Sequence, residues 1–177
     1  MLQQHLEQER IEFFVSYAGP LARNDEFSVT PLKPQPASIF CRPGHPLASP
    51  GRRPSARQLP DFPWAIVQMP DDLGVQLRAL FGVAAGVPLP VALSCDNQAL
   101  LREAMLTSDM LLFTWSSWLH AEVQPGAVVD LGKRLRPALP RDVMQLGCAV
   151  VRLAGRTASP GAQRLIGLIA SGKSACA

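Results

Sequence analysis

The 177-residue chain has no Cys-x-x-Cys pair and no two histidines at metal-binding spacing. Its four cysteines, Cys41, Cys95, Cys148 and Cys176, stand far apart, which argues against a zinc site. There is no Gly-rich phosphate loop and no Gly-x-Ser-x-Gly elbow, so neither a nucleotide cradle nor a hydrolase nucleophile is marked. No apolar run is long enough to span a bilayer. The polar segment after Met1 does not have the form of a secretion signal. Net charge is only +3, too small to imply nucleic-acid binding by itself. The expectation is therefore no metal, no cofactor, no membrane and a reduced, cytoplasmic compartment.

What is present is a folding composition. Hydrophobic residues make up 47% and charged residues 18%, enough apolar surface for one good core or two small lobes. Apolar runs at Ile11–Ser16, Phe27–Leu32, Ala37–Arg42, Trp64–Met69, Leu89–Cys95, Met110–Trp115, Ala127–Leu131 and Met144–Leu153 predict strands. The first, with its nearly continuous apolar character, fits a buried strand. Between them lie helical patterns. Asp71 and Asp72 are N-cap candidates for a helix carrying Leu73, Leu77, Leu80 and Phe81. Asp96-Asn97 caps another, with Leu100, Leu101, Ala104 and Met105 on its buried face. Ser159-Pro160 opens the last helix, with Ser at the cap, Pro at the first helical position, and Ala162, Leu165, Ile166 and Ile169 on its face. Alternating strands and helices predict an α/β protein with mostly parallel sheets.

The stretch Ile39-Phe40-Cys41-Arg42-Pro43-Gly44-His45-Pro46-Leu47-Ala48 is a strand stopped by a proline-locked turn. Its histidine reads first as a turn residue satisfied by backbone, with a ligand contact or a base as the other readings. The basic residues cluster at Arg52, Arg53 and Arg57 and again at Lys133, Arg134 and Arg136. With no helical stripe or interleaved aromatics, they read as solvated loop charges.

The Arg-x-x-His-Pro-Leu-Ala turn resembles the ligand-sensing domain of LysR-type bacterial transcriptional regulators, and the resemblance extends along nearly the whole chain. Ile11–Ser16 is similar to the family's first-lobe strand Ile-Asp-Phe-Ala-Ile, with Glu12 for Asp. Leu59–Ile66 resembles the entry to lobe two. Glu122–Leu131 resembles the segment ending Gly-x-Leu-Val-x-Leu, and Ser159–Ile169 the closing Ser-Pro-Ala-Ala helix. Two departures stand out. Ser108-Asp109 and Thr114-Trp115 replace the family's Gly-x-Gly before a strand and Pro at its end.

The resemblance implies a two-lobe, periplasmic-binding-protein-like fold of type 2. Lobe one would comprise residues 1–58 and 144–177, and lobe two residues 59–143. It has no counterpart for the family's N-terminal winged helix-turn-helix or for the first β-α-β of lobe one. That implies a fragment or truncated product, with DNA contacted only through a region outside the chain. The implied function is effector sensing and oligomerisation, as a dimer or tetramer of the complete protein. A small metabolite in the cleft between lobes would change the lobe angle. The family commonly senses small carboxylates, aromatic acids or amino-acid-related metabolites. Ligands of open α/β sheets sit beyond the carboxyl ends of strands. The expected contacts are Ser16, Tyr17, Gln68, Met69, Asp96, Asn97, Gln98, Phe113 and Thr114. Asp96 would oppose a carboxylate. A solute-binding protein, an enzyme on a similar lobe pair and an inactive fragment are the alternatives. The missing signal segment and the absence of a clustered acid, base and nucleophile count against the first two.

Overall fold

A computed structural model describes residues 2–16, 21, 24–67, 71–141 and 144–171. The chain forms two compact units, one of Met1–Pro34 with Leu146–Ala177 and one of Gln35–Gln145.

The first unit is a three-stranded sheet in the order β1 (Phe14–Ser16), β9 (Ala149–Leu153), β2 (Phe27–Pro31). Both pairings are antiparallel, with Phe14 and Val29 both opposite Val151. Helix α1 (Leu2–Glu7) contributes Leu6, which packs with Phe14, Phe27, Ala149 and Val151. Helix α5 (Pro160–Ala170) starts as its sequence predicts. The Ser159 hydroxyl accepts from the Ala162 amide at 3.2 Å, and Pro160 follows. The Glu12 carboxylate then accepts from both the amide (2.6 Å) and the hydroxyl (2.7 Å) of Ser159. This ties the start of α5 to the segment before β1. Of the face expected for α5, Ala162 is buried, while Leu165 is 49% exposed.

The second unit is built on the sheet order β5 (Val91–Ser94), β4 (Trp64–Ile66), β6 (Leu111–Trp115), β3 (Gln35–Cys41), β7 (Val129–Asp130). A short strand β8 (Gln145–Leu146) pairs with β3. Helices α2 (Asp71–Phe81), α3 (Gln98–Thr107) and α4 (His120–Val123) complete it. One face buries Phe40, Ala65, Leu101, Met105, Leu112, Leu119 and Val128 in a single cluster. On the other, the fully buried Trp64 ring meets Phe81 at 5.2 Å, and its Nε1–H donates to the Leu59 carbonyl at 3.2 Å. A Trp buried with its N–H satisfied is worth about 3–5 kcal/mol against Ala.

The class is α/β, but the sheets are mixed rather than mostly parallel. Among the described residues, the parallel pairs are those of β4 with β5 and β6. The physical reason lies in the connections. A parallel pair requires a long crossover, and only α2, between β4 and β5, and α3, between β5 and β6, supply one. Strand β3 reaches β4 through the non-helical and short 3₁₀ turns of residues 42–63 and lies antiparallel to β6 and β7.

The first passage between units also falls earlier than residue 58. Strand β3 and its His-Pro turn belong to the second unit, because β3 pairs with β6 and β7 there. The apolar run at 144–153 is two strands, interrupted at Gly147-Cys148 beside the second passage.

Candidate functional site

Because β4 runs parallel to β5 and β6, the carboxyl ends of all three reach one edge of the second unit. The Cys95 amide donates to the Ile66 carbonyl at 3.2 Å, joining the exits of β5 and β4. Two residues later Asn97 caps α3, its Oδ1 accepting from the Leu100 amide at 3.1 Å. The capped first turn still presents backbone N–H groups and the positive end of the helix dipole. Asp96, Asn97 and Gln98 are all exposed.

Thr114, the penultimate residue of β6, lies at the same edge, one position beyond the Ile66–Phe113 pair. It is 1% exposed, and its Oγ1 has no hydrogen-bond partner. Its cross-strand neighbour is Ser38 of β3, whose hydroxyl proton is committed elsewhere. Ser38 Oγ donates to the buried carboxylate of Asp130, which also pairs with Lys133 Nζ at 3.2 Å. Gly132 lets this cluster close, since an added Cβ there would overlap Ser38 Oγ. An unpaired buried hydroxyl costs about 1–3 kcal/mol, so Thr114 is a polar group kept at the expense of stability.

The opposite end of β6 is anchored by the His-Pro turn. His45 is fully buried; its Nδ1 accepts from the Leu47 amide at 3.1 Å, so the proton sits on Nε2, which donates to the Asp109 carbonyl at 3.2 Å. Its ring lies 4.6 Å from that of Phe62. Burial pushes its pKa below the ordinary histidine value, against the pull of Asp109. Arg42 holds the Asp109 carboxylate through Nε (3.2 Å) and Nη2 (2.8 Å). Both ring nitrogens are therefore spent on backbone, and His45 is the satisfied turn residue rather than a base. The Ser108-Asp109 departure has a structural use: Asp109 clamps the start of β6 to the end of β3.

The structure thus brings together Asp96, Asn97, Gln98 and Thr114. It does not bring Phe113 with them. Alternation along the strand places Phe113 on the Trp64 face, where it is buried opposite Ile39 and Ile66. Ser16 ends β1 in the other unit, opposite Ala149. Tyr17, Gln68 and Met69 lie outside the described residues. Ser38, Asp130 and Gly132 were not anticipated. Their only mark in the sequence is a polar residue inside each of two apolar strands. Among the described residues no group of acidic, histidine or cysteine side chains is placed to hold a metal, and no helix is long and apolar enough to cross a membrane.

The family model of the LysR substrate binding domain matches residues 1–173. The chain belongs to this family. It is 34% identical over 169 residues to the SDS degradation transcriptional activation protein of Pseudomonas sp. (strain ATCC 19151), a match covering 95% of this chain and 53% of that protein. This LysR domain therefore spans about half the length of that relative. Its fold is similar to the CcmR regulatory domain of Synechocystis PCC6803 in complex with 2-PG, at a TM-score of 0.69 and 14% identity, covering 99% of this chain and 79% of that one. It is also similar to HinK, a LysR family transcriptional regulator from Pseudomonas aeruginosa, at a TM-score of 0.66 and 18% identity, covering 96% and 56%. These neighbours share the type 2 periplasmic-binding-protein-like architecture. Membership points to transcriptional regulators rather than to enzymes.

Proposed function

We propose that this LysR domain senses a small metabolite at the carboxyl edge of β4, β5 and β6, and that the bound state biases the oligomeric arrangement of a complete cytoplasmic regulator. The observation that carries the reading is the buried, unpartnered Thr114 hydroxyl at the strand ends that also lead into the α3 N-terminus. A ligand group reaching Thr114 Oγ1 gains a hydrogen bond that the free protein lacks. The α3 first turn favours an anionic or strongly electron-rich group, while Asp96 disfavours a carboxylate placed directly beside it. Asn97 and Gln98 supply amide donors and acceptors. Gln68 and Met69 remain proposed contacts. The effector acts only to the extent that it binds one state of the protein better than another.

The name of the Pseudomonas relative ties that protein to SDS degradation, so alkyl sulfates and their products join small carboxylates and aromatic acids as effector candidates. Activation is the matching mode of regulation. DNA is reached through a region outside this chain.

The test is calorimetric titration of the 177-residue protein with this panel, using octyl sulfate below its micellar concentration. An effector of this site binds about tenfold more weakly to Thr114→Val, one lost hydrogen bond being worth about 1–1.5 kcal/mol. Unchanged binding to Thr114→Val and to Asn97→Ala overturns the placement.

A further inference from the structure

The two basic clusters that look like separate loop charges in the sequence meet in one place. Residues Arg52 and Arg53, after the His-Pro turn, and Lys133, Arg134 and Arg136, after β7, line a single concavity with Pro50 and Gly51. Its volume is about 390 Å³, within the range of small-molecule sites. No acidic residue lines it. Five of the chain's 17 Lys and Arg converge here, against a net charge of only +3. The overall excess of positive charge is thus concentrated in this hollow.

Three of the four guanidinium groups are held by backbone carbonyls. Arg52 Nη1 donates to the Pro46 carbonyl at 3.1 Å, and Arg134 Nη1 donates to the Ala48 carbonyl at 2.9 Å. The Arg136 amide donates to the Pro54 carbonyl at 2.8 Å, and its Nη1 donates to the Leu135 carbonyl at 2.8 Å. One 3₁₀ turn, Pro46–Ala48, therefore fixes two arginines from segments some eighty residues apart. Each arginine has five N–H donors, so most remain available. Carbonyls fix the positions of these groups without neutralising their charge. Only Lys133 has a carboxylate partner, Asp130, which faces Ser38. Among the described residues no carboxylate pairs with Arg52, Arg53, Arg134 or Arg136.

Like charges at this density repel unless a counter-charge joins them. Planar guanidinium groups match the oxygens of tetrahedral oxyanions in paired hydrogen bonds. From this geometry we infer that the concavity is a site for a small, doubly charged oxyanion, a phosphate or sulfate group either free or carried on a small organic molecule. It shares no lining residue with the strand-end site and does not depend on the effector reading. No basic stripe continues from the hollow along a helix, which favours a small anion over the track of a nucleic-acid backbone.

The experiment is titration of the 177-residue protein with inorganic phosphate and with sulfate, followed by calorimetry and thermal unfolding. Sodium chloride at matched ionic strength controls for screening. Saturable binding of either dianion is expected, with no equivalent from chloride. Arg53→Gln and Arg136→Gln are expected to weaken it about tenfold or more, the loss of one charge-assisted hydrogen bond. Arg53 supports no other group in the structure, so its variant retains the wild-type unfolding midpoint without anion. Arg78→Gln, on α2, and Thr114→Val leave anion binding unchanged. Equal stabilisation by chloride, or full affinity in Arg53→Gln and Arg136→Gln, overturns the proposal. So does loss of binding in Thr114→Val, or binding of a DNA duplex through these arginines when neither free anion binds.

Discussion

Replacing Thr114 by valine separates stability from ligand binding. The substitution exchanges a hydroxyl for a methyl of nearly the same size at a site that is 1% exposed. In the structure that hydroxyl has no partner, and its cross-strand neighbour Ser38 gives its proton to Asp130. Removing an unsatisfied buried polar group recovers its desolvation cost, about 1–3 kcal/mol. The variant is therefore expected to be more stable than wild type by about 1–2 kcal/mol, a rise in midpoint of about 2–4 °C per kcal/mol for a chain of this size. Urea unfolding followed by tryptophan fluorescence is the suitable assay. All three tryptophans, Trp64, Trp115 and Trp118, lie in the second unit with Thr114, so the signal reports the right part of the molecule. An unchanged slope with a higher midpoint confirms a pure stability gain. A loss of about 1 kcal/mol or more would instead mean that the hydroxyl is satisfied and structural. Such a result removes the chief support for the proposed site.

Three further outcomes follow from the same packing. Gly132→Ala drives a Cβ into Ser38 Oγ and is expected to cost about 1–3 kcal/mol; adding Ser38→Ala restores part of that in a double-mutant cycle by urea unfolding, and full additivity contradicts the clash. Burial lowers the folded-state pKa of His45, so its contribution is complete above the ordinary histidine pKa near 6.5 and is lost as pH falls through the folded value. Wild type should lose stability as pH falls below that ordinary value, and His45→Gln, less stable throughout, should show a shallower pH slope; parallel slopes count against the assignment. Burial raises the Cys41 thiol to about 12, so alkylation by iodoacetamide at pH 8 should mark Cys41 only after unfolding, and mass mapping of native Cys41 adducts speaks against its burial.

Local features were the most legible. The His-Pro turn, the Asn97 cap and the Ser159-Pro160 helix start are short-range devices, and each is written in a few adjacent residues. Strand direction was not legible, because an apolar run such as Ile39-Phe40-Cys41 is compatible with either pairing. Its antiparallel partners are decided by connections far along the chain. The place of β3 in the second unit is equally non-local, since it rests on pairing with residues 112–115 and 129–130. Of the candidate site, Thr114 and the α3 start were legible as strand-end and cap positions. Phe113 and Thr114 read alike in the sequence, because a strand end does not reveal which of two successive residues faces which side. The Ser38–Asp130 bond spans 92 positions and leaves no local mark. The basic concavity is similar: each cluster alone reads as a solvated loop, and only the fold makes it one site.

The most direct test of the proposed strand-end site is amide chemical-shift mapping of the ¹⁵N-labelled domain during titration with the first effector found by the calorimetric panel. The largest saturable shifts are expected on Asp96, Asn97, Gln98 and Thr114, at one edge of the second unit. Saturable shifts confined to other positions, with these four unmoved, would contradict that placement.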